Sequence, residues 1–139
     1  MAARYVLDSF ALMALFQEEP GAAKVQELLE GAREDEHELH MSVVNLGEVV
    51  YTVENRRGLE ASQEALAAAD QLPIEIVDAD RPLALSAARL KAASGIGYAD
   101  CFAAALAQRL NAAVVTGDPD FRQIEHLVPV EWLRSGDAQ

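Results

Sequence analysis

The chain has 139 residues, half of them apolar, with 8 glycines and 5 prolines, a composition that excludes disorder and fibrous repeats and suffices for one compact core, so a single domain over residues 1–139 is expected. A net charge of −12 argues against a nucleic-acid partner unless bound cations or a basic companion offset it, because phosphate contacts come mainly from Lys and Arg. Cys101 is the single cysteine, which fits a reducing compartment, and no uncharged stretch nears the roughly 20 residues that cross a bilayer, so a cytoplasmic protein away from membranes is expected.

Tyr5-Val6-Leu7 is a short apolar run read as a strand, and the acid at position 8 arrives too soon for a signal peptide. Asp8-Ser9 opens a helical segment, Phe10 to Phe16, stopped at Glu18-Glu19-Pro20-Gly21. Val25, Leu28 and Leu29 recur at helical spacing in a second helix from Ala22, which Gly31 ends; the charged stretch from Arg33 to Glu38 reads as a loop. Leu39 to Val44 is a strand that passes into a helix from Asn45 to Arg57, closed by Gly58. Leu59 to Leu72 is Ala-rich and helical until Pro73. Ile74-Glu75-Ile76-Val77 alternates as a strand, and Asp80-Arg81-Pro82 starts a helix to Ala93. Gly95-Ile96-Gly97 breaks the chain before a helix over Tyr98 to Leu110. Ala113 to Thr116 is a buried-type strand, and Val128 to Trp132 a last one, placed at an edge by Pro129. Helical segments separate every strand pair but the last, which requires parallel crossovers. The expected fold is therefore α/β, a three-layer α/β/α sandwich around a mostly parallel five-strand sheet.

In an open parallel sheet, ligand sites form beyond the carboxyl ends of the strands. Asp8 ends the first strand, Glu48 lies near the start of the helix after the second, Asp100 near the start of the helix before the fourth, and Asp118 directly after that strand. Each has an ordinary structural reading. Asp8 suits a helix N-cap, Asn45 to Glu48 has capping-box spacing, Asp100 complements a helix dipole, and Gly117-Asp118-Pro119-Asp120 reads as a turn. Four separate caps do not explain why acids from four distant segments converge on one sheet edge, three of them flanked by apolar residues. Carboxylates packed together repel and are costly to desolvate unless a cation holds them. An oxygen-only donor set, with no His or Cys, suits Mg²⁺ or Mn²⁺.

Val6-Leu7-Asp8-Ser9, Ser42-Val43-Val44-Asn45-Leu46-Gly47-Glu48, Tyr98-Ala99-Asp100-Cys101-Phe102-Ala103-Ala104-Ala105 and Val114-Val115-Thr116-Gly117-Asp118-Pro119-Asp120-Phe121 span nearly the whole chain in order. Together they resemble the PIN domains, and among these the VapC toxins of bacterial toxin-antitoxin pairs. The resemblance implies a Mg²⁺-dependent endoribonuclease, with Mn²⁺ as an alternative ion, that cleaves RNA, forms a homodimer and binds a cognate antitoxin. It departs from the family where Asn45 replaces a common Thr and Cys101 a common Ala. The implied chemistry is attack on a phosphodiester by a metal-activated water. Asp8, Asp100 and Asp118 are then the direct metal ligands, Glu48 binds through water or positions the nucleophile, and Asp120 is a further candidate ligand. Ser9 and Thr116 stand beside two of the acids as donors that orient carboxylates, with helix-cap or strand-end hydroxyls as the alternative.

Other signals carry less. His37-Glu38-Leu39-His40 is one residue short of zinc-protease spacing and reads as surface; Gly95-Ile96-Gly97 lacks the third glycine of a dinucleotide loop. Cys101 reads as a packed small residue, and Arg56-Arg57 as a complement to a helix dipole, with a place beside an RNA groove as the alternative. A receiver-like phosphohydrolase would need a lysine after the last strand, and Lys24 and Lys91 are not there. A catalytically inactive binding module of the same fold would be expected to have lost an acid, and all four are present.

Overall fold

The computed structural model describes residues 2–133; Met1 and residues 134–139 of the expected domain lie outside the described residues. Five strands, β1 (Ala3–Leu7), β2 (His37–Ser42), β3 (Glu75–Val77), β4 (Ala113–Thr116) and β5 (Val130–Trp132), form one sheet in the order β3-β2-β1-β4-β5. Every neighbouring pair is parallel. Helices α1 (Ser9–Phe16) and α2 (Ala22–Arg33) lead from β1 to β2, and α3 (Val43–Arg57) and α4 (Leu59–Asp70) from β2 to β3. Helices α5 (Arg81–Ala93) and α6 (Tyr98–Leu110) lead to β4, and a 3₁₀ turn, Pro119–Ile124, leads to β5.

Successive residues of a strand face opposite sides of a sheet, and both sides here are covered. Val6 and Val114 pack with α5 and α6, while Leu7 and Val115 pack with α1 and α2, and Met41 with α1, α3 and α4. Ala103, Ala104, Ala105 and Ala107 are buried along α6, and their short side chains let that helix lie close against the strands. The expected three-layer sandwich is the observed one.

Several boundaries differ from expectation, each for a local reason. β2 starts at His37 and ends at Ser42, so Val43 and Val44, despite their β-branching, form the first turn of α3. Ser42 is the N-cap, its Oγ accepting from the Val44 N–H at 3.2 Å, and the capping box from Asn45 to Glu48 does not form. Helix α2 runs through Gly31 to Arg33 instead of ending at the glycine. Gly31 answers to packing: a Cβ there would stand 2.3 Å from the His37 ring, which also meets the Leu28 carbonyl at 2.7 Å and lies T-shaped against Tyr5. His37 and His40 are thus strand residues and not the surface pair expected. His40 is only 7% exposed, with its Nε2 3.2 Å from Glu38 and its Nδ1 2.7 Å from Glu75. The last strand pair is also parallel, because the 3₁₀ turn carries the chain back before β5 begins. Pro129 precedes this edge strand and needs no N–H partner there, while its carbonyl accepts from the Val114 N–H at 2.9 Å.

Candidate active site

β1 and β4 are neighbours, so the residues that follow them emerge side by side. Asp8 is 1% exposed at the end of β1 and is the N-cap of α1, its Oδ1 accepting from the Ala11 N–H at 2.9 Å. Its Oδ2 accepts from the Thr116 hydroxyl. Thr116 Oγ1 in turn accepts from the Asp118 N–H at 3.0 Å, and Asp118 Oδ1 from the Asp120 N–H at 2.9 Å. The cap and turn readings of Asp8 and Asp118 are therefore correct as far as they go, and they are what aims both carboxyl groups at one place.

The other two acids arrive on helices. Asn45, fully buried near the start of α3, donates from Nδ2 to the Ala99 carbonyl at 3.1 Å, tying that helix to the start of α6. One residue beyond Ala99 is Asp100, and three beyond Asn45 is Glu48. Asp8, Glu48, Asp100 and Asp118 all line one cleft of about 320 Å³. Ser9 lines it as well, whereas Asp120 is exposed at the start of the 3₁₀ turn and does not. Thr52, not singled out from the sequence, and Arg56, read there as a complement to the helix dipole with a place beside an RNA groove as the alternative, complete the wall along α3. Their spacing from Glu48, four and eight residues, was the signal available for them.

Burial pushes the Asp8 carboxyl up to about 7, helped by the charges of Asp100 and Asp118 and opposed by its hydrogen bonds from Thr116 and Ala11. Burial likewise pushes Asp100 up to about 7, with the charges of Asp118, Glu48 and Asp120 adding to it. Burial and the neighbouring Asp100 also push the Cys101 thiol up, so it is a packed, unreactive group as its sequence context implied. Among the described residues, no three His, Cys, Asp or Glu side chains stand gathered closely enough to hold a metal ion as they are placed. The donor set nevertheless fits a hard dication: all its atoms are oxygens, the carboxylates repel one another, and Glu48 Oε1 is buried without a hydrogen-bond partner.

Residues 5–127 match the PIN domain family. Ribonuclease VapC from Mycolicibacterium smegmatis is 33% identical over 122 residues, which cover 82% of this chain and 86% of that protein. Among solved structures, VapBC2 from Rickettsia felis, bound to a DNA fragment from its promoter, superposes with a TM-score of 0.74 at 23% identity over 92% of this chain and 97% of that one. A toxin-antitoxin complex from Klebsiella pneumoniae gives 0.66 at 16% identity, covering 91% and 95%. VapC20 of Mycobacterium tuberculosis, a sarcin-ricin loop cleaving toxin, gives 0.68 at 15% identity, covering 85% and 92%.

Proposed function

Because the chain belongs to the PIN-domain family, and within it to the VapC-type toxin ribonucleases, we propose that it is an endoribonuclease dependent on Mg²⁺ or Mn²⁺ that hydrolyses RNA phosphodiesters in the carboxylate cleft. The observation that carries this reading is the convergence of Asp8, Glu48, Asp100 and Asp118, from four separate elements, on one cleft where two carboxyls are pushed up to about 7. A structural role for four such groups would leave their repulsion uncompensated.

Asp8, Asp100 and Asp118 hold the ion in this proposal, with Asp120 as an outlying carboxylate that adds to the field at Asp100. When bound, a divalent ion supplies Lewis acidity and lowers the pKa of a water toward neutrality. The residues do the positioning. Thr116 and the Ala11 N–H fix both oxygens of Asp8, so this carboxylate does not reorient when substrate enters. Glu48, whose Oε1 has no partner, is free to bind through water or to orient the nucleophile. Ser9 lines the cleft with a hydroxyl available to substrate or carboxylate.

A chain of net charge −12 facing a polyanion also suggests companions. We take the protein to be the toxin of a type II pair, working as a homodimer and held by a basic cognate antitoxin, as the toxin-antitoxin complexes of similar fold suggest. The experiment incubates purified protein with single-stranded and structured RNAs in Mg²⁺, Mn²⁺ or EDTA and maps the product ends. Cleavage should require the metal and should vanish in Asp8→Asn, Glu48→Gln and Asp100→Asn with circular dichroism unchanged. Undiminished cleavage in EDTA, or in all three variants, would overturn the nuclease reading.

A further inference from the structure

A site built from four carboxylates needs something that attracts phosphate, and one side chain of the cleft can do so. Arg56 is the only cation among the described residues that line it, in a chain with 23 acids and 11 Lys and Arg. Glu48, Thr52 and Arg56 follow one another at four-residue steps along α3 and so form one row on the helix. With a rise of 1.5 Å per residue, the Arg56 backbone lies about 12 Å along the axis from that of Glu48. Arg56 is exposed and takes part in no ion pair among the described residues, whereas Arg4, Lys24 and Arg109 are each paired with an acid. A helix end does not explain it. Arg57 shares the last turn and is available to the dipole, yet it lines a separate cavity with Phe16, Val53 and Ala61.

We propose, resting on the ribonuclease reading of the cleft, that Arg56 binds a backbone phosphate of the RNA adjoining the scissile one. The strand then runs along α3, with the Thr52 hydroxyl as a donor between the carboxylates and the guanidinium. The fork of a guanidinium suits two phosphate oxygens at once. An unpaired arginine at the rim also spares the substrate from crossing an uninterrupted acidic wall. Arg56 is thus a positioning residue that sets the course of the substrate and takes no part in bond cleavage.

The test measures kcat and KM on a short single-stranded fluorescein-labelled RNA in Mg²⁺ across a range of NaCl, for wild type, Arg56→Ala, Arg56→Lys and Arg57→Ala. Arg56→Ala should lower kcat/KM about tenfold, mostly through KM, and make its log-log dependence on salt shallower by about 0.7, one phosphate contact on a single strand. Arg56→Lys should keep the salt slope and part of the loss in KM should return, while Arg57→Ala should stay within about twofold of wild type on both measures. The Mg²⁺-dependent rise in Tm should be the same in all four proteins, because none of these residues is assigned to the metal. An unchanged KM and salt slope in Arg56→Ala, or an equal loss in Arg57→Ala, overturns the proposal. A wild type that does not cleave RNA overturns the ribonuclease reading and this proposal together, whereas a cleaving wild type with an unaffected Arg56→Ala overturns the assignment of Arg56 alone.

Discussion

Asp8 shows how one side chain serves two purposes. As the cap of α1 it satisfies a backbone N–H, and as a buried carboxylate beside Asp100 and Asp118 it carries an unfavourable charge into the cleft. Thr116 couples these roles through a hydroxyl that donates to Asp8 and accepts from the Asp118 N–H. Thr116→Val keeps the shape and removes both bonds, so RNA cleavage or Mg²⁺ affinity should fall by about 10 to 100-fold while the fold persists, as judged by circular dichroism. The pH dependence follows from the raised carboxyls. Asp8 and Asp100, ordinarily near 3.8, both rise to about 7 and hold protons more tightly folded than unfolded. The metal-free protein should therefore lose stability as pH climbs from about 4 to about 7 and level off above that. Mg²⁺ competes with those protons, so the rise in Tm that it produces should grow across neutrality. Saturation at roughly 100 times its Kd should add about 2.7 kcal/mol. Asp100→Asn removes a repelling charge together with a proposed metal ligand. Without metal it should melt at or above the wild type at neutral pH, and with Mg²⁺ it should gain little. A markedly lower melting point for metal-free Asp100→Asn would mark the acid as structural.

At the level of elements, the strands and their acids were legible because apolar runs end at acids: Val6-Leu7 at Asp8 and Val114-Val115-Thr116 just before Asp118. What was not legible depends on contacts far apart in sequence. Asn45 looked like part of a cap, but its partner is the Ala99 carbonyl on another helix, and no local pattern announces that bond. His37 and His40 looked like surface because their burial depends on Gly31, Tyr5 and Glu75. The parallel last strand was obscured by a connection too short to suggest a helix, which a 3₁₀ turn crosses instead. Arg56 could be placed on the face of Glu48 by counting, yet only the folded chain shows which cavity that face lines. The junction of α1 with the loop after β4 offers a direct check. A Cβ on Gly117 would clash with the Phe10 ring, so Gly117→Ala must displace that ring, α1 or the loop that carries Asp118. A destabilisation of about 1 to 3 kcal/mol is expected in urea denaturation, partly recovered by adding Phe10→Leu. An alanine variant as stable as wild type would mean that the ring moves freely, and with it the support of this wall.

For the whole molecule, the charge of −12 sets the terms of association. Light scattering at high micromolar concentration should show a homodimer, and a monomer there would remove that part of the proposal. Affinity for a basic antitoxin should fall with added salt, because charges at the rim of an interface act over about a Debye length. The sheet order has a further consequence, in time rather than space. β1 is the central strand, but one of its neighbours, β4, is made more than a hundred residues later, and the cleft needs both Asp8 and Asp118. At 5 to 20 residues per second, about 5 to 20 s of translation separate the emergence of these two acids. During that interval β1 has no partner on one side, Thr116 is not yet there to hold Asp8, and no part of the nascent chain contains the four carboxylates. If the cleft is the ribonuclease site proposed above, the chain cannot cut the messenger that encodes it until Asp118 has left the ribosome.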